Sequence, residues 1–128
     1  MADTEKITIN LSPLDLGKID LLAEQGHYSN RTEFIRTAIR AQLERHLWDF
    51  QQALRLRPFV MGIASYGKKE LEYHQVRHRK LQLDIVGALY IGRDVTPELA
   101  REVIESVRVR GMFNASPEVK EALADRTE

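Results

Sequence analysis

Lys6, Thr8 and Asn10 stand two residues apart near the start of the chain, interleaved with Ile7, Ile9 and Leu11. Their side chains are hydrogen-bonding groups of three kinds. Lysine can donate to guanine O6 and N7, asparagine can pair bidentately with adenine, and threonine can meet either edge or a thymine methyl. A second cluster, Ser29-Asn30-Arg31, precedes an apolar helical stripe, where free backbone N–H groups favour an anion. His74 and His78 are four apart, a spacing that could chelate a metal on one helix face. The carboxylates Asp84, Asp94 and Glu98 are scattered and read as solvated surface. No Gly-rich phosphate loop, zinc-protease motif or nucleophile elbow is present, so no catalytic residue, metal ligand or cofactor is expected.

The elements that would position these groups follow from periodicity. Lys6–Leu11 alternates with period two, the pattern of a strand with one buried face. Ser12-Pro13 then starts a helix with Leu14, Ile19 and Leu22 on its stripe, and Gly26 closes it. Gly17 weakens that helix by about 1 kcal/mol against alanine. A second helix begins at Ser29 or Asn30. With Asn30 as cap, Glu33 completes a capping-box-like pair. Its stripe of Phe34, Ile35, Ala38, Ile39 and Leu43 continues through Leu47, Trp48, Phe50 and Leu54, either unbroken or bent near Arg45-His46. Arg36 and Arg40 read as solvated residues of this helix.

From Pro58 the style changes. Glycine recurs inside the apolar runs FVMGIAS, LDIVGALYI and VRVRGMFNA. The last two align at a spacing of 24, matching Leu83 to Val107, Ile85 to Val109, Gly87 to Gly111 and Leu89 to Phe113. Gly62 lies 25 residues before Gly87. Thr96-Pro97-Glu98 and Ser116-Pro117-Glu118 open helices after the last two runs. The pattern predicts a small repeated strand–helix module with roughly parallel strands. Its glycines mark a bend or close strand packing. The basic stretch 67–80 reads as a helix or an exposed loop, and as a secondary phosphate surface through Lys68, Lys69, Arg77, Arg79 and Lys80.

Composition sets the frame. Nineteen Lys and Arg balance 19 Asp and Glu, which predicts little non-specific affinity for nucleic acid at physiological salt. There is no cysteine, which suits a reducing compartment. MADTEKIT lacks the features of a secretory signal, and no apolar run approaches a membrane span, so a cytoplasmic location is expected. The fold class expected is α+β, with residues 1–57 forming a strand and two helices and residues 58–128 the repeat module.

A lone strand and two helices cannot close a core. Two copies pairing Lys6–Leu11 antiparallel would bury Ile7, Ile9 and Leu11 and expose a two-stranded ribbon that fits a DNA major groove. At this point ITINLSPLDLGKIDLLAEQGHYSNRTEFIRTAIRAQLE, about residues 5–45, resembles the ribbon-helix-helix (CopG/Arc-like) DNA-binding family. The shared features are the alternating strand, the Ser-Pro helix start, the glycine turn, SNRTEFIR and the following AIR. The resemblance implies a homodimeric, sequence-specific transcriptional regulator, a repressor, with double-stranded DNA as partner. Lys6, Thr8 and Asn10 would read bases, and Ser29, Asn30 and Arg31 would hold a phosphate. The C-terminal half is not covered by it. That half could carry a ligand or join dimers into higher oligomers. Two other classes stay open: an antitoxin whose tail blocks a toxin, and a scaffold built on the repeats.

Overall fold

A computed structural model describes residues 4–128; Met1–Asp3, where the MADTEKIT reading begins, lie outside the described residues. The chain divides into two compact units, Met1–Leu56 and Arg57–Glu128. Each is described by itself.

The first unit contains α1 (Pro13–Glu24), α2 (Arg31–Arg45) and α3 (Leu47–Leu56). Ser12 Oγ accepts from the Asp15 N–H at 3.1 Å, and Pro13 occupies the first turn, where it forfeits no hydrogen bond. Gln25 takes the C-cap position, and Gly26 follows with φ +83°, so the glycine stands one residue beyond the cap. His46 separates α2 from α3 and its Nδ1 lies 2.8 Å from Asp49 Oδ2, so the long apolar stripe is interrupted rather than continuous. Lys6–Leu11 is in no strand: among the described residues nothing pairs with it. A strand needs a neighbour for its N–H and C=O groups, and a single copy supplies none. Among the described residues of this unit only Ile19 is buried, while Ile7 is 74% and Ile9 54% exposed.

The second unit alternates β1 (Val60–Tyr66), α4 (Lys68–Val76), β2 (Leu81–Ile91), α5 (Pro97–Val103), β3 (Ile104–Asn114) and α6 (Pro117–Ala122). The strands form a parallel sheet in the order β1-β2-β3. The repeats seen in the sequence are the register of that sheet: Gly62 pairs with Gly87 and Gly87 with Gly111, and Leu83, Ile85 and Leu89 pair with Val107, Val109 and Phe113. Of the basic stretch 67–80, Lys68–Val76 forms α4 and the remainder is loop. Thr96 Oγ1 and Ser116 Oγ accept from the N–H groups of Leu99 and Val119, each at 3.2 Å, which starts α5 and α6 where the Pro-Glu pairs stand.

One sheet face carries the core. Leu83, Ile85, Leu89 and Ile91 alternate along β2 and pack with Leu71 of α4, Ala100 and Val103 of α5, and Val119 of α6. α4 packs on α5 and α5 on α6, so the helices form a row. The glycine column is obligatory at two of its three places. A Cβ on Gly87 would lie 2.0 Å from the Gly62 carbonyl oxygen, and one on Gly111 2.0 Å from that of Gly87. Both have positive φ, so the backbone leaves its usual strand conformation where the sheet is tightest. Among the described residues no helix is long and apolar enough to cross a membrane.

Candidate nucleic-acid interface

The first unit positions the readers proposed from the sequence on an unpaired segment. Lys6, Thr8 and Asn10 are all exposed. Ile9 and Leu11, between and after them, line an apolar groove with Ile19, Leu22, Phe34 and Ile35. The alternation therefore has a physical counterpart: two of the three apolar residues meet the helices, and the polar ones do not line that groove. The groove is open, and Leu14, Leu21, Ile39 and Leu43 remain exposed.

At the start of α2, all three expected phosphate holders already have partners. The Asn30 side chain accepts from the Glu33 N–H at 2.9 Å as N-cap. The Glu33 carboxylate returns to Ser29, accepting from its N–H at 2.5 Å and from its hydroxyl. The capping box is thus displaced by one residue from the Asn30–Glu33 reciprocity that the sequence suggested. The Ser29 hydroxyl and N–H hold the Glu33 carboxyl below its usual range. Arg31 grips Asp20 of α1 through Nε and Nη2 at 2.8 and 2.9 Å. The Arg31 hydrogen bonds lower the Asp20 carboxyl, and Asp20 raises the guanidinium in return.

Two residues enter this site that the sequence reading left on the solvated surface. Arg36 and Arg40 line the same shallow polar groove as Ser29, Asn30, Thr32 and Glu33. The signal was available: Glu33, Arg36 and Arg40 follow helical spacing, so one face carries them all. Beside Arg31, which is paired with Asp20, these two guanidinium groups supply further cationic charge along the same groove.

The other candidates are used elsewhere. α4 stops at Val76 and His78 has φ +53°, so His74 and His78 do not share a helix face. Among the described residues no group of His, Cys, Asp and Glu could hold a metal. Arg77 stacks over the Tyr73 ring at 3.5 Å and donates to the Tyr73 carbonyl at 2.9 Å, while Lys80 donates to the Glu102 carbonyl. Asp84 meets Arg57 at 3.2 Å and Arg110 at 3.4 Å, and Asp94 accepts from the Lys68 N–H at 3.2 Å. These contacts join segments of the second unit.

The model of the Ribbon-Helix-Helix transcriptional regulator family matches residues 2–120. The match reaches well beyond the 5–45 stretch that carried the resemblance and takes in the repeat module as far as residue 120. No curated protein and no solved structure matches the chain.

Proposed function

The chain belongs to the ribbon-helix-helix transcriptional regulator family, a family of DNA-binding regulators rather than enzymes, and from that membership we propose how it binds. Two copies pair Lys6–Leu11 antiparallel as a ribbon that enters the major groove, and the bound dimer acts as a repressor. Lys6, Thr8 and Asn10 read base edges. Ser29, Asn30 and Arg31, with the N–H groups that open α2, anchor a phosphate and set the register. Arg36 and Arg40 add sequence-independent attraction along the same groove.

One observation carries this reading: the first unit has the apolar residues of a core but does not close one. Ile9 and Leu11 reach the helices, yet Ile7, Leu14, Leu21 and Ile39 stay exposed around them. A second copy covers that surface and gives Lys6–Leu11 the strand partner that a single chain lacks. The second unit, with its own buried core, favours this over an antitoxin tail that folds only on a toxin.

Selection of sites from a random duplex library tests it, run on wild type beside the triple variant Lys6→Ala/Thr8→Ala/Asn10→Ala. Wild type alone should enrich a short palindromic or tandem motif. Equal enrichment by both proteins would remove the ribbon as reader, and none by either would remove sequence-specific binding.

A further inference from the structure

The two edges of the sheet in the second unit are treated differently. The outer edge of β3 is protected: Val107 bridges Thr127, and the Glu128 N–H donates to the Val107 carbonyl at 2.8 Å. Charged side chains also stand along it, with Arg108 3.7 Å from Glu128 and Arg110 3.4 Å from Asp84. Charge and cover are the usual ways to stop an edge from recruiting another strand. β1, at the other edge, has neither. Within the second unit it pairs with β2 alone, with one further hydrogen bond from the Gly92 N–H to the Tyr66 carbonyl at 2.8 Å, and no other strand of that sheet lies on its outer side. Its seven residues, VMGIASY, include no charge and no proline. Ile63 is 74% exposed, and Val60 and Met61 are about half exposed.

We propose that β1 is an interface between copies of this chain, each β1 pairing antiparallel with the β1 of a second copy to make a continuous six-stranded sheet across a two-fold axis. Charge selects this occupant. An uncharged strand meets its own two-fold mate without opposing like charges. Of the nearest charged residues on either side, Arg57 shares the Asp84 carboxylate with Arg110, at 3.2 and 3.4 Å, and Lys68 lies 3.9 Å from Glu72. With the axis at Ile63, Ile63 faces Ile63 of the partner subunit and Met61 faces the partner's Ser65. The exposed apolar side chains then pack across the seam, and the outward N–H and C=O groups of β1 gain partners. α4 is the helix at this end of the row, and it carries the exposed Tyr73 and Val76 that would flank the joint. If Lys6–Leu11 also pairs copies, a chain has two separate self-associating strands, which is how dimers would line up on adjacent operator sites.

The chain has no cysteine, so a single introduced thiol reports its own neighbours. The test takes the full chain with Met61→Cys, Ile63→Cys or Ser65→Cys, with Arg110→Cys as the control on the β3 edge, under mild oxidation. Amide exchange of wild-type β1 is read residue by residue alongside. Disulfide-linked chains should form efficiently with Ile63→Cys and not with Arg110→Cys, and all β1 amides between Met61 and Ser65 should be protected. No linkage at any of the three β1 positions, or linkage equal to the control, together with protection of alternate amides only, would overturn the proposal. So would protection of β1 only when an added peptide of another protein is bound. Neither readout involves DNA or Lys6–Leu11, so failure of the ribbon would leave this result unaffected.

Discussion

Arg31 and Asp20, on successive helices, meet through two parallel hydrogen bonds of 2.8 and 2.9 Å. The fork ties the first turn of α2 to α1, and it places a fixed carboxylate behind the proposed phosphate site. A fork of this geometry orients the guanidinium more tightly than a single contact would.

That pair sets an acid response. Asp20 is held below its ordinary value of 3.8, so it binds a proton less readily in the folded than in the unfolded chain. Its contribution is present above pH 3.8 and is lost as pH falls through the folded value. Glu33, held below its ordinary 4.5 by Ser29, acts in the same sense. Melting temperature followed from pH 7 downward should show wild type above Asp20→Asn at neutrality, with the difference narrowing as the solution is acidified below pH 3.8. A constant offset across the range would mean that the loss is one of packing.

The salt dependence of DNA binding should separate the arginines. Each phosphate contact contributes about one unit to the slope of log K against log salt. Arg36→Ala and Arg40→Ala should each flatten that slope by about one unit and weaken binding to all sequences alike. Arg31→Ala should do the same and also lower the melting temperature, because it leaves Asp20 without its partner. Unchanged slopes would place DNA away from the α2 groove.

Asn10→Ala should cost about 1–3 kcal/mol on the preferred site and relax specificity at one base pair in each half-site. The measurement is titration of the selected duplex and of its single-base variants. Uniform weakening across those variants would make Asn10 a backbone contact rather than a reader.

The glycine column gives a graded series in urea unfolding. Gly62 shares the positive φ of the others, at +140°, but a Cβ there meets nothing within 4 Å. Gly62→Ala should therefore cost about 1–2 kcal/mol, from strain alone. At Gly87 the φ of +136° is joined by a contact of 2.0 Å with the Gly62 carbonyl. Gly87→Ala should cost about 3 kcal/mol or more, and Gly111→Ala a similar amount. Equal costs at all three positions would show that the backbone shifts to admit the methyl group.

What the sequence determined by itself was what short-range rules govern. Ser12, Thr96 and Ser116 each cap the helix they precede, because the cap bond joins residues three apart, and for the second helix the choice was narrowed to Ser29 or Asn30, of which Asn30 is the cap. The strand register of the second unit was also legible, since in parallel strands separated by similar helices a repeat in the chain becomes a repeat in space. Only the tertiary structure decided the rest. Arg31 finds Asp20 eleven positions away, across a helix turn that no local spacing encodes. Glu33 chooses Ser29 over Asn30 because the chain entering α2 brings the serine N–H and hydroxyl to the same carboxylate. α4 stops short of His78 and separates two histidines that a longer helix would have aligned. The strand at Lys6–Leu11 is legible as a pattern, yet one chain leaves it unpaired, because a strand is completed by hydrogen bonds to a neighbour and not by its own sequence.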